Sequence, residues 1–255
     1  MTASRALLLD CDGVLAETER DSHLPAFNHA FSELGIPVQW TAEEYGPLLR
    51  IGGGKERMRT LVTEHPEAGL PTDAAELDAV IARLHAVKTA EYVRLVTQGL
   101  PGRPGIRRIV AEALDAGWQV AIASTSALPS VRAVADSVLG SDLVERLSGI
   151  FAGDIVANKK PAPDIYRYAL TVLGRSPQQA VVVEDSQSGA AAAAAAGIAH
   201  VVTVSAYTHE DDFPAATAVL SDLGEPGRPA TVLAGDLALH DGIVGLATLE
   251  AVLVG

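Results

Sequence analysis

The chain is poor in several kinds of residue, and each scarcity excludes a class of protein. Its 255 residues include a single cysteine, so no internal disulfide framework can form. Basic residues are outnumbered, 19 Lys and Arg against 32 Asp and Glu, and a net charge of -13 offers no basic face to nucleic acid or an anionic membrane. Aromatic residues make up 4% of the chain and apolar residues 48%. We therefore expect a soluble globular protein of one large or two modest domains.

Charge is absent from residues 186–208, a stretch long enough to raise the question of a membrane span. Its seven consecutive alanines, 190–196, are strong helix formers but only weakly apolar, and Gly197 stands where a helix would end. The β-branched segment 198–204 then predicts a strand, so we expect no membrane span. The first predicted strand begins at about Ala6 and leaves no room for a signal or transit peptide. We expect the protein to be cytoplasmic and monomeric.

Hydrophobic periodicity divides the chain into a helical insert and an alternating region. Residues 17–98 carry helical spacings, including a capping-box pattern at Thr41 and Glu44. From residue 99 onward, strands and helices alternate, which predicts an α/β fold with a doubly wound parallel sheet. We therefore predict a Rossmann-like core of residues 1–16 and 99–255, with 17–98 as an inserted α-helical domain. The main predicted elements are helices 56–63, 74–96, 104–116, 130–139, 163–173 and 246–253, and strands 119–123 and 180–183.

Two carboxylates, Asp10 and Asp12, follow the apolar run 7–9 and precede the turn at Gly13. Strand period places both acids on one side, and the carboxyl ends of parallel strands face the crevice where ligands collect. Like charges this close resist joint ionisation, so either a cation lies nearby or one carboxyl keeps its proton. The pattern suits a nucleophile and a proton donor, although a bare D-x-D is more often an acidic turn.

Polar residues also follow the later strands. Hydroxyls able to hold phosphate oxygens follow the strand 119–123, although such residues are mostly turn formers: Ser124, Thr125 and Ser126. Lys160, held in a proline-stiffened turn, could neutralise an anion, although a lone Lys-Lys-Pro is more often a solvated loop. Glu184 and Asp185 end the strand 180–183 and would supply the carboxylate oxygens that Mg²⁺ prefers. The alternative for this acidic pair is capping of the alanine helix.

In this order, Asp10-x-Asp12-Gly13, the hydroxyl after the second strand, Lys160 and Glu184-Asp185 resemble the four signature motifs of the haloacid dehalogenase (HAD) superfamily of phosphatases. The resemblance spans the chain, and the helical insert occupies the position of that superfamily's small α-helical cap. Within the superfamily the chain is similar to the CbbY group, beside the β-phosphoglucomutases. The residues that carry this closer similarity are 16–19 (AETE), 26–28 (AFN), 51–58 (IGGGKERM) and 160–166 (KPAPDIY).

The resemblance implies a role for each motif residue. Asp10 would attack phosphorus and form an aspartyl-phosphate, and Asp12 would protonate the leaving oxygen and then deprotonate the hydrolytic water. Ser124 would bond the transferring phosphoryl group, and Lys160 would balance its charge. The implied cofactor is Mg²⁺, which would stabilise charge on the phosphoryl oxygens. Its implied ligands are Asp10, Asp12 with its backbone carbonyl also facing the metal, Asp185, and Glu184 directly or through water.

A local basic cluster in the cap, within an acidic protein, predicts contact with a second, non-reacting phosphate: Arg50, Lys55, Arg57 and Arg59. The glycines at 52–54 let backbone amides approach an anion closely. Lys88 on the long cap helix could reach the same place, although Arg57, Arg59 and Lys88 could equally be solvated surface charges. The predicted substrate-binding residues are Glu17, Gly54, Lys55, Arg57, Lys88, Thr125 and Ser126.

The sequence thus predicts a Mg²⁺-dependent phosphatase of a sugar phosphate, and the resemblance implies a bisphosphate such as xylulose 1,5-bisphosphate. The alternative within the same chemistry is a β-phosphoglucomutase-like phosphomutase, which returns the phosphoryl group to the substrate. A different class, a non-catalytic regulator that accepts a phosphoryl group, needs neither Asp12 nor a cap. Two lesser expectations are that Cys11 is buried and that His23 and His29 lie on the surface.

Overall fold

The computed structural model describes residues 5–254, which form two compact units. The first contains the described residues up to Glu17 together with those from Leu100 onward, and the second runs from Thr18 to Gly99. The boundaries predicted from the sequence lie one residue before each of these. Among residues 5–254, no helix combines the length and apolar character that crossing a bilayer requires.

The first unit contains one seven-stranded sheet. Its strands are β1 (Ala6–Leu9), β2 (Gln119–Ser124), β3 (Gly149–Ala152), β4 (Ala180–Glu184), β5 (Ala199–Thr203), β6 (Ala218–Leu220) and β7 (Val232–Gly235). They are ordered β3-β2-β1-β4-β5-β6-β7. Pairing is parallel from β3 to β6, and β7 pairs antiparallel with β6. The predicted α/β fold with a parallel sheet is therefore confirmed for six strands and wrong at the antiparallel edge.

Strand β1 lies at the point where the chain changes direction across the sheet. Its residues are fully buried and pair with β2 on one side and β4 on the other. In open α/β sheets, ligands bind outside the carboxyl ends of the strands at such a switch point. The loops that follow β1, β2 and β4 therefore meet where a ligand would be expected.

The second unit is built from helices. They are α1 (Leu24–Glu33), α2 (Ala42–Leu48), α3 (Gly54–Arg59), α4 (Leu61–Glu64) and α5 (Ala74–Val96). The capping box predicted at Thr41 and Glu44 is confirmed, and α5 has the predicted bounds. The single helix predicted over 56–63 is wrong, because the chain forms two short helices joined at Thr60. Helices α1 and α5 pack together, and Phe27 and Phe31 of α1 surround Trp40 with ring centroids 5.2 and 4.9 Å away.

The remaining helices lie in the first unit. They are α6 (Ile106–Asp115), α7 (Leu128–Leu139), α8 (Ser141–Val144), α9 (Asp164–Leu173), α10 (Gln187–Ala195) and α11 (Leu246–Val254). Helix α10 is the alanine-rich helix, and its small side chains pack in one buried cluster with sheet residues Leu8 and Val182 and with Ile165 of α9. This cluster packs helix α9 against the sheet, and so positions the turn that precedes α9.

Candidate active site

Asp10 lies directly after β1, and its backbone N–H continues the sheet by donating to the Val183 carbonyl at 3.0 Å. Its carboxylate Oδ1 accepts a hydrogen bond from Lys160 Nζ at 2.6 Å. The same ammonium donates to the Ala123 carbonyl at 3.0 Å and to Glu184 Oε1 at 2.6 Å. Three neighbouring strands thus converge on one buried lysine, which enters from the turn before α9.

Asp185 approaches the same place because the loop after β1 turns at a glycine. Gly13 has φ +79°, a conformation that L side chains rarely adopt, and a Cβ there would lie 1.9 Å from Asp185 Oδ2. Glycine therefore makes room for this carboxylate. Oxygens of Asp10, Glu184 and Asp185 lie within 4.8 Å of one another, and all three residues are buried.

Glu184 has no solvent exposure, and both of its oxygens accept hydrogen bonds. Oε1 accepts from Lys160 Nζ and from Tyr166 Oη, at 2.6 and 2.5 Å. Oε2 accepts from the backbone N–H of Asp185 at 3.1 Å and from Ser186 Oγ at 3.4 Å. The carboxylate is therefore already satisfied by protein donors, as a buried charge must be.

The electrostatics of the cluster favour a cation. Burial raises the pKa of Asp10 to about 7, against the opposing effect of the Lys160 ammonium. Burial, followed by the charges of Glu184 and Asp10, raises the pKa of Asp185 well above its usual range. Burial alone would lower the pKa of Lys160, but the charges of Asp10 and Glu184 outweigh it and raise that pKa. Three carboxylates against one ammonium leave excess negative charge, and these three acids could hold a metal cation.

One hydroxyl of the segment at the end of β2 contacts the second acid of the first motif. Ser126 Oγ donates to Asp12 Oδ2 at 2.5 Å, and the Ser126 backbone N–H donates to Ser124 Oγ at 3.2 Å. Ser124 is buried, whereas Asp12, Thr125 and Ser126 are half-buried. Among the described residues, the group of acids that could hold a metal does not include the Asp12 side chain. A contribution from its backbone carbonyl stays a prediction.

Glu17, predicted to bind substrate, is exposed and accepts a hydrogen bond from Arg103, a residue that no sequence motif indicated. Arg103 Nη1 donates to Glu17 Oε1 at 2.8 Å and to the Gly13 carbonyl at 2.6 Å. Its Nη2 donates to the carbonyls of Val204 and Ser221 at 2.6 and 2.7 Å. Arg103 thus ties the loop after β1 to the ends of β5 and β6. Its partners are at least 86 residues away in sequence, so no local pattern could reveal it.

Arg57, predicted to bind substrate, is engaged within the second unit. Its Nη1 donates to Tyr45 Oη at 2.8 Å and faces Glu19 Oε2 at 3.3 Å. Its Nε donates to the Ile51 carbonyl at 3.0 Å, which fixes the loop ahead of the glycines. Arg59 pairs with exposed Asp78 on the surface.

Gly54 opens helix α3, and a Cβ at this position would lie 3.2 Å from the His85 ring. Lys55 follows it and is half-buried. Gly53 before it has φ +102°, so the turn requires a glycine. The turn therefore places the predicted residues Gly54 and Lys55 at the start of one helix.

Lys88 is buried with 4% exposure, so the surface alternative for it is wrong. Its Nζ lies 2.5 Å from His23 Nδ1 and 4.8 Å from the ring centroids of Phe27 and Tyr92. His23 stacks on Tyr92 and is 3% exposed, so its expected surface position is also wrong.

The expectation of a surface position is confirmed for His29, which is exposed, and Cys11 is buried as expected. The amphipathic pattern of α1 gave no sign that its preceding residue faces α5.

With this geometry established, comparison with known proteins identifies the class. The chain belongs to the haloacid dehalogenase-like hydrolase family, whose model matches residues 4–197. It is therefore an enzyme of the HAD hydrolase and phosphatase class, as the motifs predicted.

Within this family the chain is CbbY-like. It is 46% identical over 228 residues to the CBBY-like protein of Arabidopsis thaliana, covering 88% of this chain and 71% of that protein. The crystal structure of CbbY from Rhodobacter sphaeroides in complex with phosphate matches with a TM-score of 0.81 and 39% identity, covering 97% of this chain and 100% of that one. A mutant of that protein in complex with xylulose-(1,5)bisphosphate matches with a TM-score of 0.79 and 41% identity, covering 88% and 97%.

Proposed function

We propose that this protein is a Mg²⁺-dependent phosphatase that hydrolyses a sugar bisphosphate, with xylulose 1,5-bisphosphate as the substrate. The observation that carries the proposal is the buried cluster at the switch point of the sheet, where Lys160 holds Asp10 among a set of acids. The likeness to a CbbY structure in complex with xylulose-(1,5)bisphosphate, at 41% identity, supports the choice of substrate.

Asp10 is the nucleophile in this proposal. Lys160 binds Oδ1, whereas Oδ2 has no hydrogen-bond partner among residues 5–254 and is the oxygen that attacks phosphorus. Attack forms the bond between Asp10 and phosphorus and breaks the bond to the sugar oxygen, which takes a proton from Asp12. Asp12 then removes a proton from the water that hydrolyses the aspartyl-phosphate. Ser126 supports this role, because its hydroxyl holds the Asp12 carboxyl.

The ligands of Mg²⁺ in the proposal are the carboxylates of Asp10 and Asp185 and the backbone carbonyl of Asp12. When bound, the ion supplies positive charge beside the phosphoryl oxygens. Glu184 contributes through Lys160, or through a water, because protein donors already occupy both of its oxygens. Lys160 neutralises charge on Asp10 and on the incoming phosphate, and Ser124 holds a phosphoryl oxygen.

In the proposal, Lys55, which is half-buried at the start of α3, supplies positive charge to the second phosphate. Lys88 was also predicted to bind substrate, but its ammonium is buried beside His23 and the rings of Phe27 and Tyr92, and these contacts all lie within the second unit. Arg57 has a supporting role, since it fixes the loop that leads into Gly54. The cytoplasmic location and the monomeric state stay predictions.

The test compares two reactions that share the same nucleophile. The protein is incubated with xylulose 1,5-bisphosphate, and separately with β-glucose 1-phosphate plus a bisphosphate activator, each with and without Mg²⁺. We expect Mg²⁺-dependent release of free phosphate from the first substrate and none from Asp10→Asn, which keeps its fold. An isomerised sugar phosphate without net release would instead indicate a phosphomutase, and turnover by Asp10→Asn would exclude the nucleophile.

A further inference from the structure

Tyr166 of helix α9 carries a hydroxyl that the proposed chemistry does not use. The side chain is fully buried within the apolar cluster under the sheet. Phenylalanine would fill the same space without bringing a polar group into it, so packing alone gives no reason for a hydroxyl here. The hydroxyl donates to Glu184 Oε1 at 2.5 Å.

That oxygen is shared with the lysine of the site. Lys160 Nζ donates to Glu184 Oε1 at 2.6 Å and to Asp10 Oδ1 at 2.6 Å, and it lies 5.0 Å from the centroid of the Tyr166 ring. We propose that Tyr166 is a positioning residue, whose hydroxyl fixes the Glu184 carboxylate so that Glu184 in turn holds Lys160 against Asp10. The inference rests on the proposed function, in which Asp10 is the nucleophile.

Hydrogen bonds, rather than packing from helix α10, set the orientation of this carboxylate. Helix α10 meets the carboxylate at Gly189, where a Cβ would lie 2.0 Å from both Glu184 oxygens. The helix is alanine-rich on the C-terminal side of this glycine, so the carboxylate occupies the one gap in its small side chains. Without the tyrosine hydroxyl, Oε1 would keep Lys160 as its one donor, while Oε2 would keep the Asp185 N–H and Ser186 Oγ. The carboxylate would then pivot about Oε2, and the displaced Oε1 would draw Lys160 away from Asp10.

The test is Tyr166→Phe, which keeps the ring and removes only the hydroxyl. Its matched control is Tyr168→Phe, the same change two residues along α9 at a side chain that is 43% exposed. With p-nitrophenyl phosphate and saturating Mg²⁺, we expect kcat to fall about tenfold in Tyr166→Phe, the size of one charge-assisted hydrogen bond, with KM within about twofold. The control should keep both constants.

A double-mutant cycle separates positioning from general loss of structure. If Tyr166 acts through Glu184, then adding Tyr166→Phe to Glu184→Gln should lower kcat by less than about twofold. A second readout is independent of turnover: the ammonium NMR signal of Lys160, assigned by its loss in Lys160→Arg, should shift or broaden in Tyr166→Phe and not in the control.

Each other outcome counts against the inference. Equal kcat in Tyr166→Phe and Tyr168→Phe, a full tenfold fall in the Glu184→Gln background, or an unchanged ammonium signal would overturn it. A Tyr166→Phe protein that does not fold would also overturn it, because the hydroxyl would then have a structural role. Turnover that survives Asp10→Asn would instead overturn the proposed function, and is recognised separately.

Discussion

Replacing Lys160 by methionine removes the one ammonium that two buried carboxylates share. Its Nζ lies 2.6 Å from both Asp10 and Glu184, whose side chains are 11% and 0% exposed. Removing one partner of a buried ion pair costs about 3–5 kcal/mol, because a charge is left uncompensated in the interior. For a protein of this size, such a loss corresponds to a fall of roughly 10 °C in the thermal midpoint.

The adjacent lysine provides the control. Lys159 Nζ pairs with Asp154, which is 63% exposed, and donates to the Gly153 carbonyl. Although the Lys159 side chain is only 12% exposed, its loss leaves a carboxylate that water can solvate, so Lys159→Met should cost only about 1 kcal/mol. Both variants are compared by circular dichroism melting at pH 8 without Mg²⁺. Adding Glu184→Gln to Lys160→Met should recover part of the lost stability, since it removes one of the unpaired charges.

Lys160→Met should also lower the rate of phosphate release about 100- to 1,000-fold, because the negative charge on the reacting phosphoryl group loses its stabilising ammonium. The loss of stability should be smaller at pH 5.5, where Asp10, with a pKa of about 7, already carries a proton. A Lys160→Met midpoint equal to that of Lys159→Met at pH 8 would refute the reasoning, because it would mean that the two carboxylates are not buried charges held by this lysine.

Three further predictions follow from the site. The folded-state pKa of Asp10 is raised from 3.8 to about 7, so its contribution to stability without Mg²⁺ falls as pH rises between these values. The rise in thermal midpoint that Mg²⁺ induces should therefore be larger at pH 8 than at pH 5.5. Equal rises at the two pH values would contradict this. Gly→Ala usually stabilises a helix. Gly189→Ala should instead destabilise the protein and lower kcat, because the added methyl would collide with the Glu184 carboxylate. A higher thermal midpoint for this variant would contradict the prediction. Lys55→Ala should raise KM for a bisphosphate more than for p-nitrophenyl phosphate, whereas the surface control Arg59→Ala should change neither; equal effects of Lys55→Ala on both substrates would contradict this.

Much of the core was predictable because parallel strands bring their carboxyl ends to one edge of the sheet. Asp10 and the acids after β4 are far apart in sequence, yet the alternation of strands and helices was enough to predict their convergence. Strands β3, β6 and β7 were not predicted, because each is a segment of three or four residues with too little periodicity and, unlike the equally short β1, does not lead into a D-x-D-G motif. The antiparallel direction of β7 has no signal in its own residues.

Contacts between distant side chains could not be read from local patterns. The burial of His23 depends on Tyr92, and the saturation of Glu184 depends on Tyr166, to which no sequence motif assigned a role. Lys88 is buried because aromatic rings from two helices cover its ammonium. In each case tertiary packing supplies the partner. Residue type and spacing therefore predicted which acids converge, but not which other side chains hold them.

The most direct test of the central claim is chemical trapping of the phosphorylated residue. The Asp12→Asn protein is mixed with Mg²⁺ and p-nitrophenyl phosphate, a substrate whose good leaving group needs no general acid. The aspartyl-phosphate should then accumulate, because the variant cannot activate the hydrolytic water. After acid quench, borohydride converts an aspartyl-phosphate to homoserine, which peptide mass spectrometry locates. The account predicts homoserine at position 10, dependent on Mg²⁺ and absent when Asp10→Asn is added. Homoserine at Asp185 or at any other acid would contradict it.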